Sequence, residues 1–157
     1  MTITLEEQNM QRLWHRFKDF PGNECYRGEG GREFFREALL DSVLVVPLPY
    51  GLLRFDHYYP PYVVMVHALF DSKEVFRNLD ELRTVGRRVF GWLDIEFIDA
   101  VVPLEQRALC RLLGRLGFER VQTLLNGVFN GTMYTDGGVF RLRREKLWEK
   151  AEETTRM

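Results

Sequence analysis

The chain has 157 residues, 22 Lys and Arg against 23 Asp and Glu, a formal charge of -1 and 45% hydrophobic residues. One domain of this size buries enough surface to fold without disulfide or metal staples, and 13% aromatic residues argue against disorder. Near-neutrality removes the bulk electrostatic case for a dedicated nucleic-acid or membrane-surface binder. Cys25 and Cys110 form no Cys-x-x-Cys pair, which excludes a disulfide framework and points to a reducing compartment. The N-terminus lacks a basic stretch followed by an apolar core, and no apolar run approaches the roughly 20 residues of a membrane span. The expectation is a cytoplasmic protein with no membrane segment.

A short opening strand is expected around Ile3. Thr4 and Glu7 then stand in capping-box relation, and Met10, Leu13, Trp14 and Phe17 follow at helical spacing until Pro21-Gly22. Gly28, Gly30 and Gly31 lead into a second amphipathic pattern through Phe34, Phe35, Ala38 and Leu39. Both helices carry an apolar stripe that another layer must cover.

The period then changes. Val43 to Leu48 and Leu52 to Phe55 read as strands joined by a tight turn at Tyr50-Gly51, and Tyr58-Tyr59-Pro60-Pro61 reads as a break. Tyr62 to Phe70 is almost wholly apolar, as expected of a central strand covered on both faces. Asp71 and Glu74 have the spacing of an N-cap and its partner for a long helix reaching Leu93. Ile95 to Val102 reads as a strand, Leu104 to Leu116 as a helix capped by Gly117, and Arg120 to Phe129 and Thr132 to Leu142 as two strands. Asn130-Gly131 and Asp136-Gly137-Gly138 are expected to supply turns. Residues 1–145 form one domain on this reading, and 146–157 a polar tail.

The expected architecture is α/β in the α+β sense: a mixed, mostly antiparallel sheet of six or seven strands flanked by about four helices. This order, with Val102-Pro103-Leu104-Glu105-Gln106-Arg107-Ala108-Leu109 and Leu116-Gly117-Phe118-Glu119-Arg120-Val121, resembles the general-control-related N-acetyltransferases (GNAT), particularly members found in phages and prophages. The resemblance spans about Val43 to Leu142. It implies acetyl-CoA as co-substrate, whose pantetheine arm would contact Val66, Ala68, Leu69 and Phe70 in an opening between two central strands. It also implies a diphosphate seat over Asp71, Ser72, Lys73 and Glu74 and the turn at Val75 and Phe76. A helix start is independently suited to an anion, because its first N–H groups lack intrahelical partners. Gln106 stands at the family's usual Asn.

The sequence departs from the family pattern in two places. Residues 71–78 contain no glycine, and Asp71 and Glu74 put negative charge where an anion would bind, against Lys73 and Arg77. Leu113 stands where many members have the tyrosine that protonates the leaving thiolate, leaving Tyr134 as the candidate acid.

His67 is the sharpest candidate for a base, since an imidazole titrates near neutrality, and a buried structural histidine is the competing reading. Glu96 and Asp99 should point to opposite faces of their strand, so one of them could act through a water, as against being a solvated strand-end carboxylate. Arg107, Arg111 and Arg115 form a ridge that either meets a coenzyme phosphate or pairs with Glu105 and Glu119. His15, His57, His67 and the cysteines show no ligand spacing, so no metal is expected, and Cys110 reads as core. The function expected is acetyl-CoA-dependent transfer to a primary amine on a small molecule or peptide, with homodimerisation left open. The alternative is a catalytically inactive GNAT-fold phage or prophage accessory or structural protein.

Overall fold

The computed structural model describes residues 5–20, 29–130 and 132–147. Ile3, Thr4, Cys25 and Gly131 therefore lie outside the described residues, and so do the opening strand and most of the expected tail. Two helices come first, α1 (Leu5–Phe17) and α2 (Gly31–Leu40). Gly30 precedes α2 at φ 79°, a left-handed conformation that glycine adopts without a Cβ clash. Strands β1 (Leu44–Leu48), β2 (Gly51–Tyr59) and β3 (Val63–Phe70) follow as consecutive antiparallel neighbours. After β3 come a single α-helical turn, α3 (Ser72–Val75), a 3-10 turn (Phe76–Asn78) and α4 (Leu79–Trp92). Strand β4 (Phe97–Pro103), helix α5 (Arg107–Leu116) and the long hairpin of β5 (Glu119–Phe129) and β6 (Tyr134–Arg143) complete the order.

The six strands pair as β1-β2-β3-β4-β6-β5, and only β3 and β4 run parallel. Helices α4 and α5 cover one face through Leu82, Val89, Phe90 and Leu112, packed against Phe55, Val64, Ile98 and Leu142. Helices α1 and α2 cover the other through Phe17, Phe35 and Leu39 on Leu52. The Trp14 and Phe35 rings lie 5.5 Å apart, and Arg16 donates to the Leu48 carbonyl at 2.6 Å, which ties α1 to the end of β1. Gly117 ends α5 at φ 104°, with Phe118 N–H donating back to the Leu113 carbonyl at 2.9 Å, as a glycine-capped helix end requires. No helix among the described residues is long and apolar enough to cross a membrane.

Five local expectations need correction. Tyr58 and Tyr59 do not break the chain; they extend β2, and the break comes at Pro60–Pro61, where proline cannot donate to a ladder. Asp136-Gly137-Gly138 is not a turn but lies inside β6, opposite Pro103 and Val102. A Cβ on Gly137 would sit 2.2 Å from Val128 Cγ2, so these glycines serve close strand packing. The long helix after β3 is interrupted by the 3-10 turn, and α5 begins at Arg107 rather than Leu104, with residues 104–105 in a turn. Leu147, assigned by composition to a polar tail, is 1% exposed and belongs to the core against Gly86.

Candidate active site

Parallel pairing between β3 and β4 joins Val63 to Phe97, Val64 to Ile98 and Met65 to Asp99, and goes no further. Both strands continue, β3 to Phe70 and β4 to Pro103. The edge of β3 that faces β4 is thus without a strand partner from Val66 onward. Between the diverging halves lies a cavity of about 310 Å³, lined mainly by apolar side chains, with Val66, Ala68, Leu69 and Phe70 on one wall and Val101, Val102, Pro103 and Gln106 on another. This explains why β3 reads as fully covered in sequence while only Val64 is buried in the fold. Its apolar residues line an opening rather than an interface.

His67 sits two residues past the last β3–β4 pair and lines this cavity. It lies directly across β2–β3 from Arg54. Its Nε2 is 2.8 Å from Asp56 Oδ1, and the same oxygen lies 2.8 Å from His57 Nδ1. Arg54 Nη1 donates to Asp56 Oδ2 at 2.6 Å. Residues 56 and 57 would ordinarily point to opposite faces. They share one here because the β2–β3 register shifts between Asp56 and Tyr59, with His57 at φ 47°. A bulge re-aims a side chain in this way.

Asp56 is only 7% exposed. Burial pushes its carboxyl up, but hydrogen bonds from His57, Arg54 and His67 outweigh burial and hold it below the ordinary carboxylate range. Burial and then the Arg54 charge hold the His67 imidazolium pKa below its usual value, against the opposing pull of Asp56. His67 is therefore neutral at neutral pH, with a ring lone pair free to take a proton.

Asp56, His57 and His67 each place one ligand atom within 4.8 Å of the others. Ten residues of sequence hide this cluster, which only the β2–β3 register assembles. Arg54 holds the second carboxylate oxygen, and both imidazoles lie at hydrogen-bond distance from the first, so the group forms a charge-compensated hydrogen-bond network.

The remaining candidates separate. Glu96, expected on the strand, is exposed just before β4 begins, with its backbone tied to the Tyr62 and Arg144 main chains, at the closed end of the β3–β4 pair. It lies away from the opening. Asp99 is buried and receives Arg141 Nε at 2.8 Å and Nη2 at 3.0 Å. Asp99 in turn holds the Arg141 guanidinium above its ordinary value. Tyr134 is 65% exposed and packs on Phe129 at the hairpin tip, 5.4 Å between ring centroids; Phe129 and Asn130 line the cavity and Tyr134 does not. Leu113 is a buried wall of the cavity. Cys110 packs in the core with its thiol pushed up by burial, as a structural cysteine.

The proposed diphosphate seat is also altered by the geometry. Asp71 caps α3 with its own carboxylate, accepting from Lys73 N–H at 3.0 Å and Glu74 N–H at 3.5 Å. Arg77 pairs with Glu74 at 3.1 Å. An internal anion therefore already occupies the amides of Lys73 and Glu74. Of the arginine ridge on α5, Arg115 stacks on the Phe76 ring, while Glu105 and Glu119 pair instead with Asn130 and Lys146.

No family model matches the sequence, and neither does any curated protein. The fold, however, is shared with solved N-acetyltransferases. A chimera of the spermidine N-acetyltransferase SpeG from Vibrio cholerae and hSSAT superposes with a TM-score of 0.65 at 18% identity, over 90% of this chain and 94% of that one. A GNAT-family acetyltransferase from Bacillus anthracis gives 0.58 at 16% identity, over 74% and 75%. The ribosomal-protein-S5-alanine acetyltransferase from Vibrio fischeri gives 0.54 at 13% identity, over 62% and 56%. The protein thus has the GNAT fold, with the parted parallel strands and a histidine at their opening.

Proposed function

We propose that the protein transfers an acetyl group from acetyl-CoA to a primary amine on a small molecule or peptide. The observation that carries this reading is the parting of β3 from β4 after Met65, which exposes an unpaired strand edge beside an apolar opening with His67 at its margin. An extended pantetheine arm fits such an edge, because it can bond to free backbone groups while its methylenes meet apolar walls. Acetyl-CoA supplies an activated thioester. The fit is poorer at the diphosphate end, because in the seat expected over Asp71, Ser72, Lys73, Glu74, Val75 and Phe76 the Asp71 carboxylate already fills the amides of Lys73 and Glu74.

The chain's own contribution is orientation and proton transfer. The walls at Val66 to Phe70 and Val101 to Pro103 hold the acyl end in place and exclude water. His67, neutral and within the lining, accepts the proton of the acceptor ammonium so that the free amine can attack directly. Glu96 is too far along the closed end to share this role, and Asp99 is committed to Arg141. No acid is assigned to the leaving thiolate: Leu113 is apolar and Tyr134 lies outside the lining. The fold neighbours act on amines as different as spermidine and the alanine of a ribosomal protein, and on that basis the acceptor is left at the level of a primary amine.

Calorimetric titration with acetyl-CoA, followed by thiol release across a panel of amines, tests the reading. Saturable heat and a raised melting temperature are expected. Their absence at millimolar coenzyme would favour a non-catalytic accessory protein with this fold. His67→Ala should lower turnover by roughly 10²-fold or more while leaving coenzyme affinity within about twofold. Unchanged turnover would remove His67 from the chemistry.

A further inference from the structure

We propose that Asp56 is a positioning residue that fixes the ring of His67 with its proton on Nε2, so that the Nδ1 lone pair is the one offered to the acceptor amine. This deepens the transferase reading and rests on it for its consequence, though not for its geometry.

An ionised carboxylate can only accept hydrogen bonds. Asp56 is ionised, and its Oδ1 lies 2.8 Å from His67 Nε2 and 2.8 Å from His57 Nδ1, so both of those nitrogens carry hydrogen. A neutral imidazole has one N–H, so His67 is left with its lone pair on Nδ1. The second oxygen, Oδ2, accepts from Arg54, which cannot reverse its role because a guanidinium has no lone pair to offer. Arg54 thereby locks the carboxylate in one orientation, and the carboxylate locks the ring. The bulge at His57 completes the arrangement by bringing a second N–H to Oδ1. Nothing in the sequence joins residues 54, 56, 57 and 67 except the register of one hairpin.

The chain of donors makes an exact substitution informative. In Asp56→Asn the amide has one oxygen and one NH₂. Arg54 requires the oxygen at the former Oδ2 position, which turns the NH₂ toward the two imidazoles. His67 Nε2 must then accept, its proton moves to Nδ1, and the lone pair facing the amine is lost. The side chain's size is almost unchanged. A carboxylate that orients a catalytic imidazole is known to act through tautomer choice of this kind.

The test is nitrogen NMR of the imidazole rings at neutral pH, with the His67 resonance assigned by comparison with His67→Gln. In the native protein the His67 proton is expected on Nε2. In Asp56→Asn it is expected on Nδ1, with turnover lowered roughly 10²-fold or more and acetyl-CoA affinity unchanged. A native His67 protonated on Nδ1 overturns the proposal, as does a folded Asp56→Asn protein with tautomer and turnover unaltered. If Asp56→Asn does not fold, the native spectrum alone decides. A native Nε2 proton in a protein that gives no heat with acetyl-CoA would refute the transferase reading while leaving the positioning of His67 by Asp56 intact.

Discussion

Asp56 is met by Arg54, His57 and His67 together, and its energetics set a pH dependence that can be derived in sign. Its carboxyl is held below the ordinary 3.8, so its contribution to stability is complete above that value and is lost as pH falls through the lower, folded value. His67 is held below the ordinary 6.5. Below pH 6.5 the unfolded chain therefore takes up a proton that the folded one resists, and stability falls with pH there as well. Urea unfolding between pH 7 and pH 3 should show a first decline beginning near pH 6.5 and a steeper one below 3.8. The first decline should flatten in His67→Gln. Stability that rises as the pH falls from 7 to 5 would contradict the burial assigned to this imidazole.

At the scale of elements, the segment joining β3 to α4 shows a local preference overriding a functional expectation. Asp71 is a good N-cap because its carboxylate reaches the free N–H groups of the next turn, and the same chemistry blocks those groups to a phosphate. Asp71→Ala should cost about 0.5–2 kcal/mol of stability through the lost cap. Removing the negative charge should at the same time tighten acetyl-CoA binding, read by calorimetry. Weaker binding would mean that the carboxylate is itself a contact of the coenzyme. That Asp71 caps a helix was legible from its spacing to Glu74, as were the two opening helices, the antiparallel β1–β2–β3 run and the Gly117 stop. These depend on local periodicity and on residues with strong backbone preferences.

What depends on long-range register was not legible. Tyr58-Tyr59 looked like a break because Pro60-Pro61 follows, and shortening β2 there concealed that Asp56 and His57 share a face with His67. Continuing β2 to Tyr59 would not have sufficed, because a regular ladder from the Tyr59–Val63 pair sets Ala68 opposite Arg54, and only the register shift before Tyr59 brings His67 there. The two-residue period put Glu96 and Asp99 on one strand, but β4 begins only at Phe97, so Glu96 lies just before it, and only the fold shows that Asp99 is bound by Arg141. Tyr134 was placed near the cleft by strand order alone, and the length of the β5–β6 hairpin carries it out to the tip.

Across the whole molecule, the packed body continues past the boundary drawn by composition. Residues 144–147 form a helical turn that places Leu147 in the main core, and Arg87 donates to its carbonyl at 3.3 Å. We expect Leu147→Ala to lower stability by about 2–5 kcal/mol, the range for emptying a buried leucine site. Thermal unfolding should show a drop of roughly 2–4 °C for each kcal/mol in a chain of this size. An unchanged melting temperature would place the end of the domain at residue 145 after all.

The same global view shows why the sheet opens where it does. Strand β3 is held by β2 along nearly its full length but by β4 over only three residues, and α4 and α5 pack beneath the gap instead of closing it. Hydrogen exchange of the backbone amides of residues 66–70, with and without saturating acetyl-CoA, reports on that unpaired edge directly. The coenzyme is expected to slow exchange there, with smaller changes on the β1–β2 hairpin. Amides in this segment that exchange at the same rate with and without acetyl-CoA would contradict that expectation.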